Sequence, residues 1–415
     1  GTVVVAKELT PSMTAGINKE NIVGIITETG GKTSHSAILA RALEIPAVLS
    51  VNGAVSKLSA GEYVIVDGSE GVVIDEPDDA TIQEYNTKRI NFLKERKELE
   101  NFRGKATKAL SGEEYELFCN IGKPEDAIKA VDADGEGVGL FRTEFLFMDR
   151  TALPTEDEQF DAYKKAALTL KGKPVIIRTL DIGGDKEIPY LGLKKEENPF
   201  LGFRAIRYCL KHKDLFKTQL RAIVRASAFG DVRIMFLLIT AVEELREGKA
   251  IVEEVKAELR EQGVEFNENI PVGIMTETSA AVMIADILAK ESDFFSIGTN
   301  DLTGYTMACD RGNDGVAYLY SPLQPSVLRG IKYIIDCANK NNISVGMCGE
   351  AAANPMMVPL LMSFGLTEFS VSAPSVLKVR KTISAWSKAE ADKVAEKVLA
   401  MTTEKEISDY LKTLL

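Results

Sequence analysis

Histidine is close to absent from this 415-residue chain, which has two, His35 and His212, and tryptophan occurs once, at Trp386. Any imidazole chemistry must therefore rest on one accountable side chain. The five cysteines, Cys119, Cys209, Cys309, Cys337 and Cys348, are odd in number and scattered without CxxC spacing, which implies neither a disulfide framework nor a zinc site. Basic residues are outnumbered, 50 Lys+Arg against 61 Asp+Glu for a net charge of −11, and no basic cluster occurs. Nucleic acid and anionic membrane surfaces are thus argued against as partners. Neither a secretory signal pattern nor an apolar run long enough to span a bilayer is found, so the expected compartment is the cytoplasm. What remains is a soluble globular composition, 45% hydrophobic and 27% charged, on a chain too long for one ordinary core.

Residues 1–77 alternate short β-branched strands (VVVA, IVGIITET, PAVLS, EYVIVDG, GVVIDEP) with few helices, which reads as a small α/β domain. It opens on glycine, straight into a strand, and reads as N-terminally incomplete, a segment of a longer polypeptide. Residues 78–110 are highly charged with a thin apolar seam at Tyr85, Phe92 and Leu99, the pattern of a long solvated helical linker. Residues 111–415 carry eight strand candidates separated by helical stretches: YELFCNI, GVGLF, PVIIRTL, RIMFLLI, PVGIMTE, FFSIGTN, SVGMCGE and TEFSVS. Eight such units in roughly 300 residues make a (β/α)8 TIM barrel, so the expected fold is an α/β chain of two domains joined by a helix.

His35 lies in GGKTSHSAILAR, between a strand ending in paired glycines and a helix that Thr33 or Ser34 would cap. A helix N-terminus favours a negative group, which suits an imidazole that is to carry a phosphoryl group. A satisfied structural histidine is the bland alternative, and the glycines and hydroxyls weigh against it.

In the barrel region Arg142 follows the second strand, Arg178 ends the third, Glu277 the fifth, Asn300 and Asp301 the sixth, and Cys348 the seventh. All converge on the C-terminal mouth, where such folds place their chemistry. Glu277 and Asp301 on neighbouring strand ends suit Mg²⁺ completed by waters and a phosphate. Arg142, Arg178, Arg204 and Arg311, with Lys186 and Asn300, describe a pocket for a small, multiply anionic ligand. A buried cysteine is most often inert, but were the ligand an enol phosphate, the Cys348 thiol could protonate the enolate left behind.

The segments GGKTSHSAILAR, LFRTEFLFMDR, VIIRTLDIGGDKE, NPFLGFRAIR, IGTNDLTGYTMACDRGN and GMCGE together resemble the Enzyme I family of the bacterial sugar phosphotransferase system. The resemblance implies that His35 is the phosphorylated nucleophile and that Arg142, Arg178, Lys186, Arg204, Asn300 and Arg311 bind phosphoenolpyruvate. It further implies that Glu277 and Asp301 hold Mg²⁺, that Cys348 protonates the enolate to pyruvate, and that the barrel is a homodimerisation domain. The small domain would swivel between the barrel and a histidine-containing carrier protein, HPr.

Relatives begin earlier, with a carrier-gripping helical subdomain, so carrier docking is expected to be weak here. Leu237 and Ser279 stand where the family has prolines and Gly304 where it has glutamine, changes that loosen the backbone at the barrel mouth. Two other readings are a relative of pyruvate phosphate dikinase or phosphoenolpyruvate synthase and a non-catalytic, ligand-binding regulatory paralogue. His212 reads as a solvent-facing residue of a barrel helix, and Trp386 as packing for a C-terminal helix.

Overall fold

The computed structural model describes residues 1–9, 13, 19–30, 36–37, 39–40, 45–148, 150–183 and 188–415. The chain divides into two compact units, Gly1–Glu98 and Leu99–Leu415.

In the first unit β1 (Thr2–Ala6), β2 (Ile22–Thr27) and β3 (Ala47–Val48) form a three-stranded parallel sheet in the order β1-β2-β3. β4 (Val64–Asp67) and β5 (Val72–Asp75) form an antiparallel hairpin whose turn is set by Asp67, its carboxylate accepting the N–H groups of Ser69 and Glu70 at 2.9 and 3.0 Å. The core is thin, with Leu9, Ile22, Ile25, Leu39 and Ala40 packed together. Ser36, Ala37, Leu39 and Ala40 are helical, while His35, with Thr33 and Ser34, lies outside the described residues.

The helix Asp79–Glu100 buries none of its side chains, as its charge pattern implies. It is shorter than expected, because residues 101–110 make turns instead. Gly104, at φ 71°, breaks the helix locally, and Arg380, a fully buried guanidinium on the helix Val376–Ser384, holds this segment to the second unit. Its Nε donates to Thr107 Oγ1 at 3.0 Å, Nη1 to Phe102 O at 3.1 Å and Nη2 to Asp134 O at 2.9 Å, and it pairs with the Asp134 carboxylate. That carboxylate also accepts Gly104 N–H at 2.7 Å.

The second unit is a closed barrel of eight parallel strands. These are β6 (Glu116–Ile121), β7 (Val138–Arg142), β8 (Val175–Arg178), β9 (Val232–Phe236), β10 (Val272–Thr276), β11 (Phe294–Ile297), β12 (Ser344–Met347) and β13 (Glu368–Val371), with β13 closing on β6. Each falls inside one of the eight anticipated segments or within a residue of it. The strands read as short apolar runs because both faces are covered, one by the barrel interior and one by helices. The helices bury stripes at helical spacing: Pro325–Lys340 opens on proline and buries Val327, Leu328, Ile331, Ile334, Ile335 and Ala338. Among the described residues no helix is long and apolar enough to cross a membrane.

His212 is exposed but sits at the junction of the helices Ile206–Lys211 and Lys213–Ala226 rather than within one, its ring stacked on Tyr208 at 4.1 Å. Trp386 packs partly buried against the barrel core, and its carbonyl accepts Leu110 N–H at 2.9 Å.

Candidate active site

The C-terminal ends of the barrel strands bring together most of the anticipated side chains. Arg178, the last residue of β8, is buried and donates from Nη2 to Glu144 Oε1 at 2.8 Å, with Asp181 Oδ2 at 3.2 Å. Arg204, in the loop before the helix Ile206–Lys211, is equally buried. It donates to Asp181 Oδ1 at 3.0 Å and Asp301 Oδ2 at 3.2 Å, and to Tyr305 OH at 3.3 Å. Its guanidinium lies 5.4 Å from the Phe200 ring centroid. Burial alone would lower the pKa of both arginines, but the surrounding carboxylates more than offset it, so both are held firmly charged.

Glycine is required beside Arg204. A β-carbon on Gly183, which has φ +89°, would lie 2.7 Å from Arg204 Cβ, so the DIGGDK glycine lets this loop approach.

Glu277 follows β10 and is buried; its Oε1 accepts Leu238 N–H at 2.8 Å. Leu238 holds φ 57°, a left-handed conformation that strains a leucine. Burial, then the charge of Asp301, push the Glu277 carboxyl up to about 8, against the pull of Arg178 and Arg204. The neighbouring Gly298 has no room for a side chain, since a β-carbon there would lie 2.8 Å from Glu277 Oε2.

Asn300 and Asp301 do not end a strand, as anticipated, but occupy the first turn of the helix Thr299–Met307 that follows β11. The shift keeps them at the mouth, since the strand stops at Ile297 and the chain turns immediately into the helix. Asn300 Oδ1 accepts Glu350 N–H at 3.5 Å, and Asn300 O accepts the Tyr320 hydroxyl at 2.9 Å. Arg142 ends β7 half-buried, and Arg311 is exposed in the loop beyond the helix Thr299–Met307, near Tyr320. Lys186 lies outside the described residues.

Cys348, just past β12, is buried, with Sγ 3.8 Å from Ile297 O. Burial pushes the thiol up to about 11, the nearby Ser296 hydroxyl and the charge of Arg178 pulling partly back. Such a thiol keeps its proton at neutral pH, the state a proton donor needs.

Glu144, Asp181 and Tyr305 were missed in the sequence. The first two brace the arginine pair and the third bonds Arg204, and a signal existed: in RTE and RTLD an acid follows the strand-end arginine by two or three residues. The braced arginines still have capacity to spare. Arg178 Nε and Arg204 Nε are both buried and without a partner among the described residues, so two charged donors have capacity for an acceptor that those residues do not supply.

As for a cation, Glu277 and Asp301 offer only hard oxygen donors, and two carboxylates share a buried region whose effect on Glu277 is to disfavour its charge. That donor set fits Mg²⁺ in kind, with the remaining positions left to ligand and water. No group of three or more acids, cysteines or histidines placed to hold a metal occurs among the described residues.

The barrel that carries these buried arginines and paired acids falls in a class, the phosphoenolpyruvate-utilising enzymes. Residues 96–387 match the model described as PEP-utilising enzyme, PEP-binding domain, and residues 1–71 match the mobile domain of the same enzymes. The chain is 48% identical over 99% of its length to a phosphoenolpyruvate-protein phosphotransferase of Priestia megaterium, covering 72% of that protein. It is 50% identical over 99% of its length to the protein of that name from Bacillus subtilis, covering 72% of it. A solution NMR structure of Enzyme I, 50% identical, matches over 22% of this chain and 36% of its own with a TM-score of 0.21. The chain belongs to the phosphoenolpyruvate-protein phosphotransferase family, a family of enzymes.

Proposed function

We propose that this chain takes the phosphoryl group of phosphoenolpyruvate onto Nε2 of His35 and releases pyruvate, the first step of the sugar phosphotransferase system. The observation that carries the reading is the pair of buried donors, Arg178 Nε and Arg204 Nε, unpartnered among the described residues and braced by Glu144 and Asp181. Guanidinium forks match the oxygen geometry of phosphate and carboxylate, and bracing fixes the forks before the ligand arrives. The same reading assigns Arg142, Asn300, Arg311 and Lys186 to the ligand's polar surround. Glu277 and Asp301 would hold Mg²⁺, which when bound offsets the charge on the transferring phosphoryl oxygens.

In the transfer the P–O bond to the enol oxygen breaks as the P–N bond to the imidazole forms, and the arginines neutralise charge on the equatorial oxygens. The enolate then takes the Cys348 proton at carbon and becomes pyruvate. His35 and the barrel mouth belong to different units, so the reading requires the small unit to deliver the imidazole and withdraw it. HPr as the onward acceptor, a homodimer formed through the barrel and a cytoplasmic location belong to the same reading.

The test is incubation with ³²P-labelled phosphoenolpyruvate and Mg²⁺. Acid-labile phosphate on His35, absent from His35→Ala, is the expected result. Phosphoenolpyruvate binding with His35 unlabelled would instead establish a ligand-binding regulatory paralogue.

A further inference from the structure

Cys348 lies where the barrel ladder runs out. On one side β12 pairs with β11, and the Cys348 N–H still reaches Ile297 O at 3.1 Å. On the other side the pairing of β12 with β13 stops at Met347 opposite Phe369, so the Cys348 carbonyl has no strand partner there. A side chain from two strands away takes its place. Asn120, on β6, reaches across β13, and its Nδ2 donates to Cys348 O at 3.0 Å and to Ser370 O at 3.3 Å. Ser370, on β13, donates from Oγ to Asn120 Oδ1 at 2.6 Å.

The amide is therefore gripped at both ends and cannot rotate without losing hydrogen bonds. Asparagine is a poor strand residue, and this one has Phe118 and Cys119 before it and Ile121 after it, all buried. Packing does not call for an amide at this position. A connection from the barrel wall to the peptide that carries the thiol does.

We propose that Asn120 is a positioning residue for proton delivery by Cys348, with Ser370 locking the Asn120 amide; this rests on the reading of Cys348 as the acid. Holding the carbonyl fixes the Cys348 peptide plane, and with it the direction from which the thiol meets the enolate. In the step served, the S–H bond breaks, the enolate's carbon–carbon π pair forms the new C–H bond, and a thiolate is left that regains its proton from water. Phosphoryl transfer to His35 precedes this step and does not need Asn120.

The test uses the intact chain with phosphoenolpyruvate carrying deuterium stereospecifically at C3, in tritiated water with Mg²⁺, reading the chirality of the pyruvate methyl group. The parent delivers the proton to one face and yields one chirality. Asn120→Ala is expected to give substantially racemised pyruvate, formed about tenfold more slowly, while His35 is labelled within about twofold of the parent rate. A merely structural role would depress both rates and leave the chirality intact. Ser370→Ala, a milder change that keeps the test alive should Asn120→Ala not fold, is expected to racemise partially. Retained chirality in both variants would overturn the role of Asn120. Retained chirality in Cys348→Ser would instead show that the acid itself is misassigned, so the two failures are distinguishable.

Discussion

Two buried carboxyl groups sit at opposite ends of the barrel strands, and both are pushed up to about 8. Glu277 follows the end of β10, where burial and Asp301 raise it, Leu238 N–H bonds it, and Arg178 and Arg204 face it. Glu368 opens β13, where burial and Glu116 raise it against the pull of Arg233, and its Oε1 finds no partner among the described residues. A β-carbon on Gly139 or Gly346 would lie 2.5 or 2.8 Å from that oxygen, so the Glu368 carboxyl fills space that two glycines vacate. The same displacement thus arises from acids among converging arginines at one end and from an acid beside Glu116, packed against two glycines, at the other. A raised carboxyl does not by itself mark a site; converging guanidinium groups with donors to spare do.

The comparison is broken most severely at Arg178. Arg178→Ala would take a buried counter-charge away from Glu144, Asp181 and Glu277, leaving Arg204 to face Asp181 and Glu277. We expect a loss of roughly 3–5 kcal/mol in urea unfolding and of at least about 10²-fold in the rate of His35 labelling. Stability within 1 kcal/mol of the parent, at the level of an exposed ion pair, would contradict the packing described.

Asp181→Asn removes the acid that, among the described residues, bonds both arginines. It should raise the KM for phosphoenolpyruvate by about 10- to 100-fold through loosened forks. An unchanged KM would show the arginines to be fixed without it.

Glu368→Gln sharpens the contrast from the other end. A folded-state pKa of about 8 against the ordinary 4.5 means the folded chain binds the extra proton between those values, so the Glu368 contribution to stability falls as pH rises through that window. Melting temperatures from pH 5 to 8.5 should therefore decline less steeply in Glu368→Gln than in the parent, while His35 labelling at pH 7 is preserved. Parallel curves would mean that Glu368 ionises as an ordinary carboxylate.

The smallest effect is expected at Gly304. A β-carbon there would meet only Cys309 O, at 3.3 Å, and Gly304→Ala should stabilise the helix Thr299–Met307 by about 0.5–1 kcal/mol in thermal melts. A melt below the parent's would show that the Cys309 carbonyl cannot give way.

The eight strands were legible because a parallel barrel forces apolar runs of four to six residues bounded by turns, and the runs around Phe118, Ile177 and Phe236 have no other use. The gathering of Arg178, Arg204, Glu277 and Cys348 at one mouth was legible because a barrel sends strand ends there, so position along the strand stands in for position in space. Glu144 and Asp181 escaped because what they do depends on burial beside an arginine, which spacing suggests but does not reveal. Asn120 escaped more completely, since its partners, Cys348 and Ser370, lie 228 and 250 residues away. The end of the linker helix was misplaced in part for the same reason: charge and the seam at Tyr85, Phe92 and Leu99 favour helix past Glu100, whereas Gly104 at φ 71° and the distant Arg380 hold the following residues out of it.

Arg380 also decides where the barrel can be cut free. A shortened chain beginning at residue 111, where the first barrel strand comes into view, would discard Phe102 and Thr107 and strand a guanidinium in the interior with half its acceptors gone. Anyone wishing to express the barrel alone should keep the chain from about Leu99 onward, because those few irregular residues are the stopper in its base rather than the loose end of a tether.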